Sequence, residues 1–82
     1  MTKSPSNENL KRKIQPIPGF VRDALKARRL VEKYKARPAY QRNDYILWIN
    51  TAKTQPTKQK RLDQMLDELE TGGVYMKAKW NG

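Results

Sequence analysis

The sequence predicts an all-α fold: a small bundle of three to four short helices, set between a disordered basic N-terminal arm and an extended C-terminal tail. Three observations lead there. Apolar residues recur at steps of three and four in three successive segments. Arg37-Pro38, Gln55-Pro56 and Gly72-Gly73 punctuate those segments at short intervals. At 82 residues the chain holds one small domain at most.

Residues 1–18, MTKSPSNENLKRKIQPIP, form the arm. They hold three of the five prolines, few apolar residues and the basic triplet Lys11-Arg12-Lys13. The helical domain is expected over residues 19–73. In its first helix, about 19–36, Phe20, Ala24, Ala27, Val31 and Tyr34 stack on one face, and Leu30 sits at its margin. Val21 and Leu25 fall well off that face. Either the helix is buried on two sides, or it breaks near residues 26–29 and presents each half differently; no Gly, Pro or capping residue marks such a break.

Pro38 biases Arg37 away from helix and is itself suited to a first helical position. A second helix then runs over 38–53, with Tyr45, Trp48, Ile49 and Ala52 on the stripe and Ile46 on its flank. Thr54-Gln55-Pro56-Thr57 makes a corner. A last helix over 56–71 repeats the pattern with Leu62, Met65, Leu66 and Leu69, and Gly72 is free to take the left-handed conformation that closes it. In the tail, 74–82, Val74, Met76, Ala78 and Trp80 alternate with polar neighbours. That is a strand pattern with no second strand to pair with. The tail is expected either to fold back over the helices with Trp80 filling a gap, or to add to the sheet edge of a partner.

Composition narrows the chemistry. There is no cysteine and no histidine, so thiolate and imidazole metal sites are excluded and no cofactor is expected. No apolar run approaches a membrane span and no apolar stretch follows Met-Thr-Lys, which leaves the cytoplasm as the expected location. The net charge of +10 invites anionic partners, although solubility alone also accounts for it.

Tyr45-Ile46-Leu47-Trp48-Ile49, then Ala52-Lys53, then Thr57-Lys58, Lys60-Arg61-Leu62 and Met65-Leu66 resemble the YdeI/OmpD-associated domain family, linked to bacteriocin protection. The family pattern is roughly Y-[VI]-x-W-I-x-x-A-K followed by E-T-R-x-R-R-I, and the likeness runs from about Pro18 to Leu69. It implies a break within residues 20–36. The chain departs from the pattern at Leu47, where a charged residue is common, and at Pro56, where a glutamate is. The tail lies outside the pattern. Stress or bacteriocin protection is the role the resemblance implies, without a mechanism.

Catalysis finds little support. Ser4 and Ser6 lie in the arm, and Asp63, Asp67 and Glu70 share one polar side of the last helix, where nothing apolar would raise a carboxyl pKa. The chain is therefore read as non-enzymatic. Charge at the corner is more informative. Lys53 ends one helix, and Lys58, Lys60 and Arg61 open the next, against the positive end of its dipole. Asp67, Glu68 and Glu70 crowd the other end, again against the dipole. Each such charge costs a few tenths of a kcal/mol to ~1 kcal/mol. An anion at the corner would reverse that argument. Alternatively, Lys58 and Arg61 lay their stems over the core with their heads in water.

The leading expectation is thus a basic binding module for nucleic acid or another polyanion, with Lys11, Arg12 and Lys13 on one stretch and Lys53, Lys58, Lys60 and Arg61 on another. A helix-turn-helix reading of duplex DNA would bring the acidic half of the last helix against phosphates. Anionic lipid is a third candidate, but no basic amphipathic helix is left over once the core is built. The alternative is a protein-interaction module that uses Tyr40, Leu47, Tyr75 and Trp80. Trp48 is read as core, so Trp48→Ala is expected to unfold the domain.

Overall fold

The computed structural model describes residues 15–80. Lys11, Arg12 and Lys13 lie outside them. Four helices follow in order: α1 (Gly19–Ala27), α2 (Val31–Lys35), α3 (Ala39–Asn50) and α4 (Gln55–Thr71). A two-stranded antiparallel hairpin, β1 (Val74–Tyr75) and β2 (Ala78–Lys79), comes after them. The fold is therefore mostly helical. The strand pattern in the tail finds its partner within the tail itself, which corrects the expectation of an extended segment without one.

The first helical segment is divided. The N–H of Arg29 reaches the carbonyl of Lys26 at 3.1 Å, and that of Leu30 reaches the carbonyl of Leu25 at 2.8 Å. Arg29 sits between them at φ 58°. This is the double-bonded helix stop that usually places glycine at its left-handed residue. Here the stop is held by its apolar pair instead, since Leu25 and Leu30 are both buried. The break resets the helical phase. Val21, Leu25, Leu30 and Tyr34 face inward, Ala24 and Val31 are half-buried, and Ala27 is exposed. The expected face through Phe20, Ala24 and Ala27 is corrected accordingly: Phe20 is 39 % exposed.

Pro38 caps α3 rather than entering it, and its carbonyl accepts the N–H groups of Gln41 and Arg42 at 3.0 and 3.1 Å. The helix stops at Asn50, short of Lys53. Thr54 caps α4: its hydroxyl accepts the Thr57 N–H at 3.4 Å and donates to the Thr57 hydroxyl at 3.0 Å. Pro56 follows in the first turn, where its missing N–H has no partner to lose. At the far end Gly72 has φ 97°, and its N–H reaches the Glu68 carbonyl at 2.9 Å.

The core lies where α3 and α2 pack on α4, with α1 carried against it by α2. Leu62, Met65, Leu66 and Leu69 of α4 are all buried, as are Tyr45, Ile46 and Ile49 of α3. The buried face of α3 is turned toward Ile46, so Trp48 and Ala52 end half-buried at its margin. Trp48 packs against the core from outside rather than within it. Leu47, at the position where the family pattern commonly has a charged residue, is also half-buried rather than exposed.

Candidate functional site

Two polar assemblies sit at opposite ends of α4. At its C-terminal end Glu68 is buried, 5 % exposed. One carboxylate oxygen accepts the Tyr45 hydroxyl in a short hydrogen bond and the Met76 N–H at 2.8 Å. The other accepts the Lys77 N–H at 2.8 Å and the Gln64 side-chain amide at 3.0 Å. Met76 and Lys77 form the hairpin turn, at φ 50° and 65°, a conformation that favours Asn-Gly or glycine. Glu68 supplies what the turn sequence lacks: a carboxylate onto which both turn N–H groups converge. Burial and the neighbouring Glu68 carboxylate push the Tyr45 hydroxyl well above its ordinary pKa, so it remains a donor.

Arg37 completes this end. It is 4 % exposed, and it donates to Gln41 Oε1 at 3.0 Å, to the Glu68 carbonyl at 3.0 Å and to the Gly72 carbonyl at 3.4 Å. A guanidinium on the last carbonyls of a helix meets the negative end of its dipole. Its carbon lies 4.4 Å from the centre of the Trp80 ring. Trp80 is thereby half-buried over Arg37, beside a pocket of about 230 Å³ lined in part by Lys33, Ala36 and Leu69. Tyr75 donates to Asp44 at 2.8 Å and meets the rings of Tyr40 and Tyr45 edge-on, at 5.9 and 5.4 Å. Of the four residues considered for protein contact, Tyr40 is exposed at 46 %, while Leu47, Tyr75 and Trp80 are half-buried.

Cations gather at the N-terminal end. Lys53 is exposed in the turn before α4, and Lys60 is exposed on α4, lining an open groove of about 420 Å³ with Pro56, Thr57, Gln59 and Asp63. Lys58 and Arg61 are half-buried one turn apart. The Lys58 ammonium lies 5.9 Å from the centre of the Phe20 ring. Arg61 donates to the Trp48 carbonyl at 2.6 Å, and its guanidinium lies 5.3 Å from the centre of the Trp48 ring. Arg61 therefore serves the end of α3 as well as the surface. Among the described residues, none of Lys53, Lys58, Lys60 and Arg61 forms an ion pair. Arg28 does, bridging Asp67 at 3.4 Å and Glu70 at 2.6 Å, and Glu70 foremost raises its pKa.

The family described as bacteriocin-protection, YdeI or OmpD-associated matches residues 16–72, more than half of the chain. The chain belongs to this family. The matched span takes in all four helices and the cationic corner and stops before the hairpin. No curated protein and no solved structure matches the chain. Among the described residues no cluster of His, Cys, Asp or Glu could hold a metal ion, and no helix is long and apolar enough to cross a membrane.

The sequence shows Glu68, Arg37 and Phe20 but not the contacts they make here. Glu68 sits at the margin of the α4 stripe, next to Leu69, and that position was its one signal. Arg37 carried only the mark of a residue before proline. Phe20 lies off the buried face on which its spacing places it.

Proposed function

We propose that this member of the family is a small, non-enzymatic binding module that engages a polyanion, with nucleic acid the first candidate. The observation that carries the reading is the contrast in pairing. Lys53, Lys58 and Lys60 have no carboxylate partner among the described residues, whereas the acidic half of α4 is engaged by Arg28 and the hairpin. That engagement also weakens the repulsion that acidic residues on α4 would exert on an approaching phosphate. Lys11, Arg12 and Lys13 would extend the contact, and a cytoplasmic site of action goes with such a partner. In the family's terms, polyanion binding would be the molecular step behind protection.

Neutralising about five phosphates predicts that log affinity for duplex DNA falls against log salt with a slope of ~−4.5. A slope near zero, measured by titration at several salt concentrations, would reject the reading. A protein-interaction role has its own observation, the exposed Tyr40 ring beside Tyr75. It predicts affinity for a protein partner that is insensitive to salt and lost on deletion of residues 74–80.

A further inference from the structure

We propose that the corner takes single-stranded nucleic acid in particular, with unpaired bases stacking on Phe20 and Trp48 while Lys58 and Arg61 hold the phosphates. This rests on the polyanion reading above and narrows it. The supporting feature is a juxtaposition across three helices. Phe20 comes from the start of α1 and Trp48 from the last turn of α3, and each ring meets its own cation from the first turns of α4. Lys58 lies 5.9 Å from the Phe20 ring centre and Arg61 5.3 Å from that of Trp48. The surface therefore reads ring, cation, cation, ring.

Phe20 is the informative member. Its helix buries Val21 and Leu25, and leaves Phe20 itself 39 % exposed. A lone exposed apolar residue is ordinary, but this one borders a lysine ammonium and leads toward a second ring with its own cation. Trp48 is half-buried, so part of this side chain is open to solvent. The hydrogen bond from Arg61 to the Trp48 carbonyl holds the guanidinium beside that ring and leaves its remaining N–H groups for phosphate oxygens.

Rings and cations in alternation fit a strand whose bases are free. Every base offers a π-face, so stacking tolerates any sequence, and lysine and arginine track the backbone. A duplex keeps its bases stacked on one another, and would meet only the cations. DNA and RNA strands share this chemistry.

The test is to titrate the full chain with oligo(dT), oligo(U), a duplex of equal nucleotide count, base-free polyphosphate and anionic phosphatidylglycerol vesicles at matched salt. Binding is followed by tryptophan fluorescence and amide chemical shifts. Single strands are expected to bind more tightly than duplex, polyphosphate or vesicles, with shifts at Phe20, Trp48, Lys58 and Arg61. Phe20→Leu keeps an apolar side chain at an exposed site. It should melt as the parent does, lose roughly tenfold in single-strand affinity and keep its duplex affinity. Lys58→Gln should weaken every polyanion alike. Duplex, polyphosphate or vesicles binding as tightly as oligo(dT) and oligo(U) would overturn the inference, as would unchanged single-strand affinity in Phe20→Leu. Either result, with salt-dependent binding intact, leaves the broader polyanion reading standing; loss of all salt-dependent binding removes both.

Discussion

In the C-terminal half of α4, Asp67, Glu68 and Glu70 stand near the negative end of the helix dipole, and other elements have come to meet them. Arg28 from the end of α1 takes Asp67 and Glu70, the hairpin and Tyr45 take Glu68, and Arg37 covers the last carbonyls. In the N-terminal half, Lys58 and Lys60 stand near the positive end of the same dipole without a carboxylate partner among the described residues. Both halves are charged against the dipole, a matter of up to ~1 kcal/mol per charge. The fold compensates one half and leaves the other. The compensated half is where structure is built, and the uncompensated half is where a partner of opposite charge would gain most.

That comparison can be broken at its compensated end. Glu68→Ala strands the Tyr45 hydroxyl, two turn N–H groups and the Gln64 amide. Each buried donor left unpaired costs ~1–3 kcal/mol, so a total loss of about 3 kcal/mol is expected once some donors reach water. Urea denaturation measures the loss, and the amide signals of residues 74–79 should collapse toward random-coil shifts. A hairpin that persists in this variant would show that the turn at Met76-Lys77 stands without its carboxylate.

Next in size is Trp48→Ala. A tryptophan at the margin of the core loses less than the ~3–5 kcal/mol of a buried one, so about 2 kcal/mol is expected. The domain should stay folded and melt at a lower temperature. Complete unfolding would return Trp48 to the core, where the periodicity of α3 first placed it.

Arg29→Gly acts in the opposite direction. A left-handed residue with a side chain costs ~1–2 kcal/mol, and glycine returns part of this to unfolded-chain entropy. A net gain of about 0.5–1 kcal/mol is expected in thermal melting. Because the break carries Arg28 to Asp67 and Glu70, the variant also asks whether that placement needs Arg29 itself. A loss of stability would mean that it does.

The smallest effect belongs to the uncompensated half. Lys60→Gln should leave stability within ~0.5 kcal/mol, since an exposed lysine with no ion pair among the described residues contributes little to the fold. The same change should reduce the salt slope for nucleic acid by about 1. If stability falls by more than this while the slope stays put, Lys60 belongs to the structure rather than to a binding face.

The legible features were those carried by short-range pattern. The period through Leu62, Met65, Leu66 and Leu69 located α4 and its buried face, and Pro56 and Gly72 marked its two ends. The Tyr45–Leu66 stretch pointed to the family. The clustering of Lys53, Lys58, Lys60 and Arg61 could also be seen directly, because cations adjacent in sequence at a helix start are adjacent in space. Their aromatic neighbours could not, since Phe20 lies 38 positions from Lys58.

Tertiary structure decided the rest. Helical period is a local property, whereas the phase across a break depends on which residues bury against another element. Leu25 and Leu30 settled that phase through their burial in the core, without the glycine that would have announced the stop. The hairpin, likewise, has no turn signature at Met76-Lys77, because the group that holds the turn is a carboxylate eight and nine residues upstream on another element. Sequence alone determined which segments coil and where charge accumulates. Only the packed chain determined which charges and rings face one another, since those pairings arise from the meeting of elements rather than from the order of residues.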